Sequence, residues 1–189
     1  MGSLTATGAA TAFPERLRPL FSRAEIQARV RALARAIRAD YAGHPPLVVC
    51  VLKGAFVFTA DLIRELGLPV TVEFVGLSSY GSARESSGRV AVTRPLSAPV
   101  EGRDVLVVED LLDTGRTLAA LCSALRARGA RSVRICALVD KPERRLVDLR
   151  ADYVGFTGVR GFVAGYGIDF AERYRERPDL VIVDTEVSP

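Results

Sequence analysis

The sequence has few of the residues that build metal sites or disulfide frameworks. It contains three cysteines and one histidine, and no Cys-X-X-Cys spacing occurs. Zinc sites draw on clusters of such ligands, so we expect no zinc site. The cysteines (Cys50, Cys122 and Cys136) lie inside apolar runs and are predicted to be small core residues.

Long hydrophobic runs are also missing. No stretch approaches the roughly 20 apolar residues that span a bilayer. The opening segment MGSLTATGAATAF lacks the basic start and continuous apolar run of a signal peptide, and Ala6 breaks the myristoylation pattern. We therefore predict a cytoplasmic protein without a membrane partner, in which residues 1–15 form a loose N-terminal tail.

The charge is only mildly basic, at +4, and the arginines are scattered. A nucleic-acid partner is therefore not expected. Only Lys53 and Lys141 among the 26 basic residues are lysines. Either this is chance, or these positions need a compact ammonium instead of a planar guanidinium.

Length and patterning predict one α/β domain over residues 16–189. The chain has 189 residues and is 49% hydrophobic, which suffices for one domain with a substantial core. A capping box at Ser22–Glu25 opens an amphipathic helix. Further helices are predicted near 55–66 and 115–128, and strands near 47–52, 70–76, 105–108, 133–139, 153–156, 162–164 and 180–183. This alternation predicts a mainly parallel twisted sheet flanked by helices.

Polar side chains follow three predicted strands. Lys53-Gly54 follows the strand at 47–52, Glu109-Asp110 follows 105–108, and Asp140-Lys141 follows 133–139. The carboxyl ends of parallel strands share one edge of the sheet, where ligands bind. We therefore expect both lysines and the acidic pair to lie on one rim.

The segment from Asp113 to Thr117 has the composition of a phosphate cradle. Gly115 frees the backbone, two threonines supply hydroxyls, and a helix N-terminus offers unpaired amides. The alternative is an ordinary helix N-cap with Asp or Thr as the capping residue. Glu109 and Asp110 would repel a bare phosphate, but they suit ribose hydroxyls or a bridging Mg²⁺. A phosphorylated ribose with a metal ion therefore fits best.

Other motifs are absent or poorly supported. There is no P-loop, and Gly161–Gly167 does not form a dinucleotide-binding fingerprint. Asp113-Thr-Gly matches the short motif of aspartic proteases, but those are all-β proteins. The polar Ser/Gly-rich stretch at 78–89 is long enough to be a functional loop, with a solvated linker as the alternative.

Val107–Thr117 closely resembles the ribose-phosphate signature of type I phosphoribosyltransferases. Four further segments resemble the hypoxanthine-guanine branch of that family: Leu52–Gly54, Ser78–Gly81, Asp140–Pro142 and Phe162–Asp169. The resemblance implies a small base-binding hood formed by residues 156–189 and a flexible lid at about 78–92. It also implies Mg²⁺ as cofactor and a homodimer or homotetramer. Val159-Arg160-Gly161 departs from the Pro-Asp usual in related bacterial sequences.

The resemblance implies roles for individual residues, beginning with Asp113 as the general base. The other expected contacts are Glu109, Asp110, Thr114, Gly115, Arg116 and Thr117 for ribose phosphate; Lys53, Gly54 and Arg175 for pyrophosphate, with a non-proline cis peptide before the lysine; Ser79 and Tyr80 in the lid; Lys141, Phe162, Val163 and Asp169 at the purine; and Glu109, Asp110 and Asp169 at the metal.

The implied activity is purine salvage: transfer of 5-phosphoribosyl from 5-phospho-α-D-ribose 1-diphosphate to hypoxanthine or guanine, giving IMP or GMP. One alternative is a nucleotide-sensing RNA-binding regulator on the same fold. Such a regulator would favour clustered basic residues and would not need Lys141. Another is a transferase that prefers xanthine, adenine or a pyrimidine.

Overall fold

The computed structural model describes residues 15–79 and 90–184. Residues 1–14 of the predicted tail lie outside this part of the chain. The elements in chain order are β1 (Arg16–Phe21), α1 (Arg23–Asp40), β2 (Leu47–Leu52), α2 (Phe56–Leu66), β3 (Thr71–Ser79), β4 (Val90–Arg94), β5 (Asp104–Leu112), α3 (Arg116–Ala127), β6 (Ser132–Asp140), a 3₁₀ turn (Pro142–Arg144), β7 (Tyr153–Phe156), β8 (Phe162–Ala164) and β9 (Leu180–Asp184).

The main sheet has six strands in the order β4-β3-β2-β5-β6-β7. Strands β3, β2, β5, β6 and β7 pair in parallel, and β4 joins the edge antiparallel to β3. The predicted mainly parallel sheet is therefore confirmed. Among the described residues, no helix is both long and apolar enough to cross a membrane.

Helices cover both faces of this sheet. On one face α1 and α2 pack against alternate strand residues such as Leu106 and Val108, and on the other α3 packs against Val105 and Val107. Helix α1 begins at the predicted capping box, in which the Ser22 and Glu25 side chains cap each other's backbone amides. The strands are apolar on both faces because both are buried.

A second, three-stranded antiparallel sheet has the order β1-β9-β8. The sequence predicts β8 and β9 but not β1, because Pro19 interrupts that segment and it shows no clear alternation. Glu15, the last residue of the predicted tail, accepts hydrogen bonds from Arg173 and from the Tyr174 hydroxyl. The N-terminal strand therefore joins the C-terminal strands that were predicted as the hood.

The flanks of the predicted lid are strands. Ser79 at the end of β3 pairs with Val90 at the start of β4, and residues 80–89, including Tyr80, lie outside the described residues. The sequence prediction places 90–92 in the lid. The structure instead places them in β4, where this β-branched segment hydrogen-bonds to the edge of the sheet.

Candidate active site

The predicted segments meet at the carboxyl edge of the main sheet, where β5 is longer than its neighbour. Its pairing with β2 stops at Val108, whereas its pairing with β6 continues to Leu112. Glu109 and Asp110 therefore lie within β5, not beyond it as the sequence suggests. They occupy the part of β5 that extends beyond its pairing with β2.

Gly54 occupies the space beside Asp110. A Cβ atom at position 54 would lie 1.8 Å from Asp110 Oδ2, so only glycine fits without moving the carboxylate. The Gly54 carbonyl oxygen in turn lies 2.5 Å from where a Cβ of Gly167 would be. The peptide bond between Leu52 and Lys53 is cis, as expected. The segments that contain Gly54, Asp110 and Gly167 are far apart in the sequence but are thus packed together at Gly54.

Glu109 and Asp110 form an acidic pair, and none of the described lysines or arginines forms an ion pair with either side chain. Desolvation raises the pKa of Glu109 well above its ordinary value, and the charge of Asp110 and a hydrogen bond between the two carboxyls add to the shift. Crowded carboxylates of this kind suit a hard divalent cation such as Mg²⁺, which takes oxygen ligands and retains several waters. Within residues 15–79 and 90–184, no three metal-ligating side chains cluster.

The loop after β5 leads directly into α3. Gly115 is the N-cap of that helix, in a left-handed conformation (φ +80°), and no side chain caps the first turn. The alternative of an Asp or Thr capping residue is therefore wrong. The loop instead leaves backbone amides at the start of α3 uncapped by side chains, with Thr114 before Gly115 and Arg116 and Thr117 after it.

Arg145, which the sequence analysis does not single out, stabilises the loop between β5 and α3. Its guanidinium donates to the Asp113 carbonyl oxygen and to the Asp140 carboxylate, and both side chains are only 12% exposed. The Leu146 amide donates to the Thr114 carbonyl at 3.0 Å. A Cβ on Gly115 would lie 2.9 Å from Arg145 Cδ. The loop conformation thus depends on a buried cation that no spacing pattern identifies.

A cavity of about 540 Å³ opens beside Asp113. It is lined by Leu111, Asp113, Lys141, Glu143, Arg144, Val159, Arg160, Gly161, Phe162, Val163, Ile168, Asp169 and Phe170. Lys141 is 5% exposed, and its Nζ donates to the Gly161 carbonyl at 2.6 Å. Phe162 is 61% exposed and contacts Phe170 edge-on, while Val163 is buried. The cavity combines an exposed aromatic face with a buried ammonium group and a carboxylate.

The two cations expected at pyrophosphate share one carboxylate. Glu172 Oε2 accepts from Lys53 Nζ at 3.1 Å and from the Arg175 guanidinium at 3.2 Å. Arg175 also forms an ion pair with Asp169 Oδ1 at 2.6 Å and donates to the Gly167 carbonyl at 3.0 Å. Asp169 Oδ2 also accepts a hydrogen bond from the Glu172 amide, so a metal ion would compete with these contacts for the Asp169 carboxylate.

Comparison with known proteins supplies independent findings. A family model described as "Phosphoribosyl transferase domain" matches residues 21–171. The chain is 42% identical over 168 residues to a hypoxanthine-guanine phosphoribosyltransferase of Streptococcus thermophilus, covering 89% of this chain and 93% of that protein. It is 46% identical over 168 residues to the bifunctional protein TilS/HprT of Listeria monocytogenes, but spans only 26% of that protein's length.

Solved structures agree with these matches. A hypoxanthine phosphoribosyltransferase from Staphylococcus aureus superposes with a TM-score of 0.86 at 37% identity, covering 91% of this chain and 94% of that one. A hypoxanthine-guanine phosphoribosyltransferase from Bacillus anthracis gives 0.84 at 40% identity, covering 90% of this chain and 100% of that one.

Proposed function

The chain belongs to the hypoxanthine-guanine branch of the type I phosphoribosyltransferase family, and we propose that it transfers 5-phosphoribosyl from 5-phospho-α-D-ribose 1-diphosphate to hypoxanthine or guanine. The observation that carries the proposal is the cavity in which Asp113, Lys141 and Phe162 line one space. A proton acceptor, a buried donor and an aromatic face together suit a 6-oxopurine.

Asp113 is the general base in this proposal. A new bond between the purine ring nitrogen and the ribose carbon leaves a proton on the ring that a carboxylate must accept. Asp113 lines the cavity in which the purine would bind, and it lies at the start of the loop that leads into α3. That placement supports a role for Asp113 as the proton acceptor between the purine and the ribose phosphate.

Lys141 selects the base. An ammonium group has three donors, so Lys141 can keep its hydrogen bond to Gly161 and still donate to the 6-oxo oxygen. Adenine carries an amino group at that position, which would meet the ammonium donor to donor. Buried polar groups left unpaired in this way discriminate strongly against the wrong substrate. Phe162 stacks on the purine, and the Val163 backbone contacts its edge.

The reaction builds positive charge on the ribose ring and negative charge on the departing pyrophosphate. Lys53 and Arg175 stabilise the pyrophosphate, and they already lie on the two sides of Glu172. Gly54 lets the chain approach closely. Glu109 and Asp110, with Asp169 on the pyrophosphate side, would hold Mg²⁺, which would supply charge neutralisation when bound. Glu109 and Asp110 also accept from the ribose hydroxyls.

The loop at the start of α3 holds the 5′-phosphate. The uncapped amides and the hydroxyls of Thr114 and Thr117 donate to phosphate oxygens, and Arg116 adds positive charge. The positive φ of Gly115 turns the chain so that these donors can converge. Tyr80 belongs to a lid that excludes water during transfer, and Ser79 is the last residue of the strand that leads into it. The homodimeric or homotetrameric state remains a prediction.

The test is nucleotide formation by wild type and D113N. The wild type should form IMP from hypoxanthine, 5-phosphoribosyl diphosphate and Mg²⁺. D113N should lower kcat by at least about 100-fold, since general base catalysis contributes roughly 10²–10⁴-fold. Its dissociation constant for 5-phosphoribosyl diphosphate should change less than threefold. Near-wild-type turnover in D113N would show that Asp113 is not the base.

A further inference from the structure

Asp113 is hydrogen-bonded to an arginine that neither the motif nor the resemblance assigns a role. Arg144 Nε donates to Asp113 Oδ1 at 2.6 Å. Both side chains line the base cavity. Arg144 is the last residue of the 3₁₀ turn Pro142–Arg144, three positions after Lys141. Lys141, which is expected to contact the purine, and Arg144, which is hydrogen-bonded to the general base Asp113, therefore come from one short segment.

This turn holds Asp113 at two points. Arg145 donates to the Asp113 carbonyl oxygen, and Arg144 donates to the carboxylate. The turn itself closes when the Arg144 amide donates to the Lys141 carbonyl at 3.0 Å. The contact with the Asp113 carbonyl is mostly buried, because the Arg145 side chain is only 12% exposed. The contact with the Asp113 carboxylate is open to solvent, because the Arg144 side chain is 61% exposed. Arg145 therefore supports the loop, and Arg144 acts on the orientation of the carboxylate.

The orientation of a carboxylate is poorly fixed by its own bonds. The second side-chain torsion of aspartate is broad and roughly two-fold, so an unconstrained Asp113 would rotate. A hydrogen bond from Nε to Oδ1 selects one orientation and leaves Oδ2 for the ring proton. Because Arg144 belongs to the turn that follows Lys141, the same contact links the proton acceptor to the segment that carries the 6-oxo donor.

We propose that Arg144 is a positioning residue, which orients Asp113 through Oδ1 so that Oδ2 accepts the purine proton. The role rests on the proposed function and goes beyond it, because it assigns a residue outside the family signature. Arg144 acts through Asp113 and not on the substrate. Its removal should therefore lower kcat and leave the binding of 5-phosphoribosyl diphosphate intact.

Steady-state kinetics of R144A and R144K test the role. R144A should lower kcat about tenfold, with the KM for 5-phosphoribosyl diphosphate within about twofold of wild type, since a misplaced catalytic group costs up to roughly 100-fold. R144K should recover activity to within about threefold of wild type, because an ammonium can still donate to Oδ1. R150Q, at another exposed arginine in the same loop, is the matched control and should behave as wild type.

A double-mutant comparison separates positioning from direct substrate contact. In the D113N background, R144A should cause no further loss, because the group it orients is no longer a base. A loss of the same size in both backgrounds would overturn the role. Wild-type turnover in R144A would also overturn it while leaving the proposed function intact. An inactive wild type would overturn the proposed function, and this role with it.

Nitrogen-15 NMR of the arginine side chains gives a readout besides activity. The Nε–Hε signal of Arg144, identified by its absence in R144K, should lie downfield of exposed arginines and move upfield in D113N. The R150Q protein should retain the Arg144 signal unchanged. A signal that does not respond to D113N would show that the contact is absent in solution and overturn the proposal.

Discussion

Replacing Gly54 with alanine should separate function from folding. The new Cβ would lie 1.8 Å from Asp110 Oδ2, whereas ordinary contact begins near 3.4 Å, so the oxygen must move by about 1.6 Å. Asp110 Cγ would lie 2.5 Å from the same Cβ, so the whole carboxylate must swing away, and as part of the Asp110 side chain it can do so without moving the backbone. The φ of Gly54 is outside the left-handed region, so alanine causes no backbone strain. We therefore expect a folded protein with a displaced Asp110.

Displacement of a binding group by about 1 Å costs roughly 100-fold in rate. G54A should accordingly lower kcat/KM for 5-phosphoribosyl diphosphate by at least about 100-fold, while its Tm stays within about 2 °C of wild type. Steady-state kinetics and thermal unfolding measure the two quantities on the same preparation.

G102A provides the opposite control. Gly102 has a φ of +68° and nothing within 4 Å of a new Cβ, so alanine there is strained but does not touch the site. A left-handed alanine costs about 1–2 kcal/mol, which corresponds to a Tm lower by about 2–8 °C. Its kcat/KM should equal that of wild type. A G54A protein with wild-type kcat/KM would refute the close packing of Gly54 on Asp110.

Two further predictions concern specificity and stability. K141M keeps the aliphatic stem and removes the donor, so the KM for hypoxanthine should rise by about 10–100-fold with a smaller change in kcat, measured by steady-state kinetics. A hydrogen bond from Arg131 lowers the pKa of Asp104 to about 2, below its value of 3.8 in the unfolded chain. The ionised carboxylate therefore stabilises the fold above about pH 4, and this stabilisation is lost as the pH falls towards 2. D104N should therefore lower the free energy of unfolding by about 1–2 kcal/mol at pH 7 and by much less at pH 2.5, measured by urea denaturation; equal losses at both pH values would contradict the assignment.

Sequence patterning predicted the elements whose residues are apolar on a regular period. The central strands β2, β5 and β6 and the helices α1, α2 and α3 follow this rule, because burial on both faces or on one helical stripe leaves a periodic apolar pattern. The strands β1 and β4 were missed. Both lie at sheet edges, but so do β7 and β8, which the sequence predicts, so the edge position is not the reason. β1 contains Pro19, and β4 directly follows the polar Ser/Gly-rich stretch that was assigned to the lid.

The site was predictable where function constrains a short contiguous segment. Glu109 to Thr117 and Lys141 could be recognised from motif and position. Arg144, Arg145 and Glu172 could not, because they act through contacts with distant segments. In a chain rich in arginine, nothing in the sequence separates a guanidinium that orients Asp113 from one on the surface.

A panel of purine bases tests the central proposal most directly. The wild-type protein would be incubated with 5-phosphoribosyl diphosphate, Mg²⁺ and either hypoxanthine, guanine, xanthine or adenine, and nucleotide formation followed by absorbance. We expect IMP and GMP to form, no AMP, and loss of activity when the metal is chelated. No nucleotide with any base, or AMP as the preferred product, would contradict the account.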